Sequence, residues 1–311
     1  MPELPEVTTI VRELSRFVRG KTIRSAEADP SELFRSTPAS TFRRGVAGLT
    51  FGLFQRRAKF ILVPLGKGRN VSLKTASWVL LWHMGMTGHP LYRNPKSESR
   101  NATLRAAMAD PMNRHVRVAF HFTDGTRLDY ADIRKFGKLE LVRPAKLQRH
   151  ASLHHLGPDA LELANDATAF CATVTAERRH IKVVLMDQRI IAGIGNIYAD
   201  EILWTARVHP LLPAQRVTGA PCARLRAAVR SVLRQAIRAH GTSIDDYRRV
   251  RGGKGSYGAM RKVYQRTGLS CPRCGTLIHK LVVGGRGTHI CPRCQRVSFP
   301  SVRTAHKNAL V

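Results

Sequence analysis

Two C-x-x-C pairs, Cys271-Pro-Arg-Cys274 and Cys291-Pro-Arg-Cys294, stand 16 residues apart near the C-terminus. Each pair forms a tight turn that aims two sulfurs at one ion, and the spacing is that of a tetrahedral four-cysteine zinc site. Four thiolates fill the tetrahedron and leave no open position for a substrate water. The single zinc is therefore structural, and it holds together a small ribbon. A redox dithiol would need one C-x-x-C next to a βαβ unit, and none is visible. Gly284-Gly285 supplies a hairpin tip between the pairs, with Arg286 unhindered beside it. Cys171 and Cys222 stand alone and read as reduced, buried thiols.

The charge narrows the partner. The 311 residues carry 52 Lys+Arg against 21 Asp+Glu, a formal charge of +31, which suits a polyanion better than a small metabolite. Between Tyr247 and Val311 there are 14 Lys+Arg and no Asp or Glu, so that end is expected to meet phosphates. A hydrophobic content of 43% is enough for packed cores. No apolar run approaches the roughly 18 residues of a membrane span. The best, Trp78 to Trp82, is strand-sized, and Glu3, Glu6, Arg12, Glu13, Arg16 and Arg19 interrupt the start. A cytoplasmic, nucleoid-associated bacterial protein with no membrane partner is the expectation.

The composition shifts twice along the chain, and the length favours two or three domains. Val7, Ile10, Val11, Leu14, Phe17 and Val18 follow helical spacing, with Gly20 as a stop. Lys21 to about Val142 is β-rich, with runs at 60–63, 78–82 and 115–122; Asp124-Gly125 turns the last run back into 126–130. The stretch 94–113 lacks periodicity and reads as a long, mobile hairpin excursion. Beyond Pro144 the candidate helices are 166–176, 181–187, 197–206 and 222–240. The last has a stripe of Leu225, Val229, Val232, Leu233, Ala236 and Ile237. Arg226, Arg230, Arg234 and Arg238 form a second row, read as a solvated face. The expected domains are 1–144, 145–265 and 266–311.

The start Met1-Pro2-Glu3-Leu4-Pro5-Glu6-Val7 is a chemical group in its own right. An initiator Met before a small residue is normally removed, which exposes the proline nitrogen. This secondary amine has a pKa near 7.7–8.0, so roughly a tenth is unprotonated at pH 7 and able to attack a carbon at the aldehyde oxidation level. Glu3 and Glu6 suit proton transfer, and Pro5 fits the first turn of the helix. Taken alone, the same residues also make a plain helix start.

Four separated motifs now converge. Pro2-Glu3-Leu4-Pro5-Glu6-Val7, Arg56-Arg57-Ala-Lys59-Phe60, Asp187 to Glu201 with its Gly193-Ile-Gly195-Asn196, and Gly285-Arg286 to Gln295 resemble, in order, the formamidopyrimidine-DNA glycosylase family. The resemblance runs almost end to end. It implies an α+β multidomain fold: an N-terminal β-sandwich with flanking helices, a helix-two-turns-helix domain and a C-terminal zinc finger, acting as a monomer on double-stranded DNA. It also implies an activity, excision of oxidised purines (8-oxoguanine, formamidopyrimidines) and cleavage at abasic sites, with no diffusible cofactor beyond the zinc.

By that resemblance Pro2 is the nucleophile, Glu3 the general acid/base and Glu6 the organiser of the terminus. Lys59 and Arg286 contact phosphate at the lesion, and Lys182 and Asn196 are phosphate ligands. Met86, Arg134 and Phe136 match the residues that fill the space of an extruded nucleotide, and Tyr264 closes the lesion-recognition loop. There are departures: Asn113 stands where a phosphate-contacting His is usual, the segment before it is longer, and Gln265 replaces a Gly. Leu4 favours this group over the related endonuclease VIII enzymes that act on oxidised pyrimidines. Intact Pro2, Glu3 and Lys59 argue against a non-catalytic binder on the same scaffold. From the charge, affinity for duplex DNA is expected to fall steeply with salt, at a log-log slope of about −0.9 per phosphate neutralised; a flat titration contradicts that reading.

Overall fold

The computed structural model describes residues 1–29, 32–34, 37–243 and 247–296, so the basic tail beyond residue 296 lies outside the described residues. Helix α1 (Leu4–Phe17) forms where the sequence places it, three residues earlier than periodicity alone indicates. Pro5 occupies its first turn, and the Glu6 carboxylate accepts the Glu3 backbone N–H at 2.9 Å.

The β-rich region folds into two antiparallel sheets. One has the order β1 (Ile23–Ala28), β7 (Val116–Phe122), β8 (Arg127–Ala131), β6 (His89–Arg93). The other runs β2 (Thr50–Phe51), β4 (Phe60–Gly66), β5 (Trp78–His83), β9 (Lys138–Val142), with β3 (Gln55–Arg57) on β4. Phe120, Phe122 and Leu128 of the first share a core with Phe51, Ile61, Val63 and Trp82 of the second, and with Val7, Ile10 and Leu14 of α1 and Phe42 of helix α2 (Ala39–Val46). This is the expected sandwich with flanking helices, and its interior is fully buried.

The excursion after β6 departs from its expected hairpin. It forms two short helices, α3 (Pro95–Arg100) and α4 (Ala102–Met108), and a turn over Pro111–Arg114. Asn94 and Asn101 cap them by accepting backbone N–H groups of Lys96, Ser97 and Leu104. Helices of six and seven residues are too short to show periodicity, so their only legible signal is the caps.

The second half packs α5 (Ala160–Leu163), α6 (Ala167–Thr175), α7 (Ile181–Met186), α8 (Asn196–Ala206) and α9 (Gly219–Arg238) around one core. The apolar stripe of α9 is buried as expected, and Leu4 of α1 enters this core as well, so the start of the chain belongs to both halves. The zinc-finger strands β10 (His279–Val283) and β11 (Arg286–Ile290) close a hairpin over Gly284 and Gly285, whose φ angles of 55° and 72° fit a two-residue turn. Among the described residues no helix is long and apolar enough to cross a membrane.

One expectation is overturned. Cys171 and Cys222 are not separate thiols but a disulfide between α6 and α9, across 51 residues of sequence. Solitary cysteines in sequence become neighbours because both face the same helical core. Closing a loop of that length constrains the unfolded chain by about 4 kcal/mol on the entropic model. The oxidised protein is therefore expected to melt several degrees above its reduced form, and Cys171→Ser to melt at one temperature in both states. Calorimetry with and without reductant checks this.

Candidate active site

Burial collects ionisable groups at the seam between the two halves. Helix α8 begins at Asn196, and the backbone before it is held open by Gly193 and Gly195. Into this helix start projects the Glu3 carboxylate. It accepts N–H groups of Gly195 at 2.7 Å, Ile197 at 2.9 Å and Tyr198 at 3.4 Å, the donors a helix N-terminus leaves unpaired. A Cβ on Gly195 would lie 2.4 Å from the Glu3 carboxyl carbon, so the approach requires glycine there. Leu4 N–H donates to Gly193 O at 3.0 Å and fixes the same junction.

Glu6 lies behind Glu3. Its Oε1 accepts the Tyr198 hydroxyl at 2.6 Å and the Thr242 N–H at 2.7 Å. Burial, and then the charge of Glu3, push Glu6 up to about 7. Glu3 is raised chiefly by burial, with Lys59 and the α8 N–H donors opposing. The two carboxyls thus hold protons at pH values where an exposed carboxylate holds none. Pro2 is buried in front of them, and Met1 is half exposed.

Lys59 reaches the cluster from the two-residue loop joining β3 to β4, where Ala58 takes a φ of 54°. Its neighbours fix that loop to the helical half: Arg57 donates to Leu156 O and Gly157 O at 2.9 and 2.8 Å, and Arg56 pairs with Asp159. These arginines are structural, not a solvated charge run. Lys59 is 6% exposed, and burial lowers its pKa against the pull of Glu3 and Glu6, with Arg286 lowering it further. His83, paired with Phe60 across the β4–β5 ladder and packed on its ring at 4.7 Å, is pushed down to about 4 by burial and the two neighbouring lysines, Lys59 and Lys138. It is neutral, and nothing in the sequence singled it out.

The zinc hairpin approaches from the other side. Arg286 is exposed at its tip, and it adds to the larger effect of burial in lowering both Lys59 and Lys182. Lys182 departs from its expected role. It is fully buried, and its ammonium donates to Asp200 Oδ1 at 2.6 Å, Thr288 Oγ1 at 2.7 Å and Gly287 O at 3.2 Å. An ammonium has three donors, and all are spent, one on Asp200 of α8 and two on the hairpin, so none is left for a phosphate. Asn196 likewise donates to Gly287 O at 3.1 Å, and Asp200 accepts both the backbone N–H of His289 and its ring. Tyr264 rests edge-on against His289 at 5.1 Å, and its N–H, with those of Lys262 and Val263, is taken by buried Glu201. Gln265, where a Gly is usual, still adopts a φ of 55°.

Met86, Arg134 and Phe136 are brought together and remain exposed, Met86 by 40% and Phe136 by 52%. Buried Asp132 ties their two turns: it accepts the Thr87 hydroxyl and the Gly137 N–H, and Thr87 in turn accepts the Arg134 N–H at 3.2 Å. The Arg134 guanidinium lies 4.6 Å from the centre of the Phe136 ring. Asn113 also departs from expectation. It is 3% exposed; its amide donates to Ala107 O and Met108 O and accepts from His89, so it anchors α4 and is not presented to a phosphate. The organising residues Tyr198, Thr242, Asp132, Asp200 and Glu201 went unassigned in the sequence, because only partners distant along the chain give them roles.

The four cysteine sulfurs lie within 4.8 Å of one another. A tetrahedron with Zn–S near 2.3 Å needs about 3.8 Å between sulfurs, so the set fits one zinc. The finger packs on the end of α8, where the Arg273 guanidinium covers Trp204 at 3.9 Å and Gln295 donates to Val208 O at 3.0 Å.

Three family descriptions match the chain: the formamidopyrimidine-DNA glycosylase N-terminal domain over residues 1–139, its H2TH domain over 156–248, and the zinc finger found in FPG and IleRS over 268–297. Formamidopyrimidine-DNA glycosylase of Streptococcus pneumoniae is 37% identical over 95% of this chain and 99% of its own. That of Symbiobacterium thermophilum is 39% identical over 96% and 90%. A Lactococcus lactis Fpg in complex with an abasic site containing DNA superposes with a TM-score of 0.80 at 29% identity, over 95% of this chain and all of that one. A MutM in complex with carbocyclic 8-oxo-G containing DNA gives 0.79 at 30%, over the same shares.

The carboxyl pair predicts a pH signature in stability. Glu6 keeps its proton up to about 7 when folded, against an ordinary 4.5. Between these values the folded chain binds more protons than the unfolded one, so stability falls as pH rises, by up to about 1.4 kcal/mol per pH unit. Glu6→Gln, neutral throughout, is expected to make the fall between pH 5 and 7 shallower. Urea melts at three pH values across that range measure it, and an unchanged slope removes Glu6 as its source.

Proposed function

The chain belongs to the formamidopyrimidine-DNA glycosylase family, a DNA glycosylase for oxidised purines and an abasic-site lyase, and from that premise we propose how its own residues do the chemistry. One observation carries the proposal: Pro2, Glu3 and Lys59 are buried together at one seam, and the exposed Arg286 of the zinc hairpin stands near enough to act on Lys59. The substrate is duplex DNA with an oxidised purine or an abasic site, the kinds of DNA named for the related complexes.

Removal of Met1 frees the Pro2 nitrogen. Its lone pair attacks C1′ of the damaged nucleotide, the bond from C1′ to the base breaks, and the base leaves with that electron pair. Glu3, whose raised pKa keeps a proton available, gives it to the sugar ring oxygen; the ring opens and an iminium links Pro2 to C1′. Glu3, now a carboxylate, takes the C2′ proton as the 3′ phosphate leaves, loss of a second sugar proton expels the 5′ phosphate, and water hydrolyses the iminium to free Pro2 and the sugar fragment, leaving a gap flanked by phosphates. Lys59 and Arg286 hold the negative charge of those phosphates. Met86, Arg134 and Phe136 enter the space of the extruded nucleotide, Phe136 between bases and Arg134 against the orphaned one.

The zinc, held by Cys271, Cys274, Cys291 and Cys294, supplies rigidity to the finger and takes no part in bond making. Lys182 acts through Gly287 and Thr288, aiming Arg286, while Asn196 braces the same hairpin through Gly287 and, half-buried at the start of α8, serves as a phosphate ligand.

Borohydride reduction of the mature protein with abasic-site duplex is expected to give one covalent adduct, with the crosslink on Pro2 by mass spectrometry. Pro2→Gly should weaken or redirect the lyase step. Glu3→Gln should lose base excision by about 100-fold or more, within the range set for a positioned acid, while binding duplex normally. Undiminished excision by Glu3→Gln, or an adduct elsewhere in the wild type, overturns the assignment.

A further inference from the structure

The excursion of α3 and α4 has no part in the chemistry above, yet it is bonded to a segment that does reach the site. After α9 the chain passes Glu6: Thr242 N–H donates to its carboxylate, and Gly241 packs on its side chain. The chain returns to the same place, where Ser256 pairs with Thr242, and Gly255 donates to Ser243 Oγ at 2.9 Å and packs on Gly241 O. Between these feet, residues 247–254 form a strap that leaves the helical half and enters the sandwich. Val250 is fully buried in the sandwich core. Its carbonyl accepts Tyr92 N–H of β6 at 2.7 Å, and its N–H donates to Glu13 of α1 at 2.9 Å.

The excursion holds the strap at two further points. Asp110 pairs with Arg248 at 2.7 Å, and Arg248 is 6% exposed. Gly252, at a φ of 74°, lies so close to α4 that a Cβ would come within 2.6 Å of Ala107 O. Asn113 and Arg93 in turn hold the last carbonyls of α4, so the contact surface is rigid. Between α1, α4 and the strap lies a cavity of about 540 Å³, lined among others by Arg12, Arg16, Asn101, Arg249 and Arg251. Packing there does not support the strap; Val250 and the Arg249–Glu13 pair anchor its middle, and the two excursion contacts brace Arg248 and Gly252 on either side.

We propose that the 94–114 excursion is a positioning element for damaged-base excision: through Asp110–Arg248 and the Ala107–Gly252 contact it sets the strap that stands on Glu6. This rests on the glycosylase reading and deepens it. The sugar chemistry rests on Pro2, Glu3, Lys59 and Arg286, none of which is bonded to the excursion. Holding a base outside the stack needs the walls of its pocket in place, and a misplacement of about 1 Å can cost about 100-fold.

The test compares two substrates, duplex with 8-oxoguanine and the same duplex with a preformed abasic site. Gly252→Ala and Asp110→Ala are each expected to lower kcat/KM for 8-oxoguanine release about tenfold, with abasic-site cleavage held within twofold, and Asp110→Glu should restore most of the loss. Equal losses on both substrates, no loss on either, or a failure of Asp110→Glu to recover activity while melting like the wild type overturns the proposal. Should Gly252→Ala not fold, the Asp110 pair decides alone. A wild type inactive on both substrates defeats the glycosylase reading instead, which separates the two failures.

Discussion

The structure depends on one carboxylate at one helix start. Glu3 caps α8 with both oxygens, and among the described residues no other side chain accepts those N–H groups. The bond joins the first residues of the chain to a helix almost 200 positions away, and it closes the seam between the sandwich and the helical half. It also puts the group proposed to move protons where the helix dipole and Lys59 favour its charge while burial opposes it. Removing any of these influences would shift the balance: without burial Glu3 would be a plain carboxylate, and without the helix it would lose its orientation.

The cations around this point fall into two kinds that look alike in sequence. Lys59 and Arg286 have few fixed partners and can meet a phosphate. Arg56 and Arg57 are bonded to a carboxylate and carbonyls of the opposite half, and Lys182 to Asp200 and the zinc hairpin; they serve to hold the first kind in place. Buried charges of this sort are expensive unless fully partnered, and Lys182 shows the condition met, with Asp200, Thr288 and Gly287 around it. A net charge of +31 therefore overstates the surface available to DNA, since part of it is consumed in joining domains.

What the sequence made legible follows from range. The α1 helix, the stripe of α9 and the four-cysteine site are local patterns, and each lies where periodicity or spacing put it. The motif residues Pro2, Glu3, Lys59 and Arg286 do converge, but their meeting was implied by resemblance and not by spacing. Most of what failed was long-range. The Cys171–Cys222 bond, the burial of Lys182 and Asn113, and the neutrality of His83 depend on partners that only the folded chain supplies. The excursion failed for a different reason: its helices are shorter than the window in which a period can be read.

Seen from the carboxyl pair, the two halves of the site differ in how firmly they are built. Glu3, Glu6 and Lys59 are fixed by α8, Tyr198 and the β3–β4 loop, all within packed cores. The strap joins that framework at its feet and at Val250, and Arg248 and Gly252 on either side of Val250 are braced by a surface insertion. A protein can vary such an insertion without disturbing the proton-transfer groups, because no bond of Glu3 or Lys59 passes through it. On the proposal made for the excursion, the sugar chemistry stays constant while the grip on the base is adjusted from outside the core.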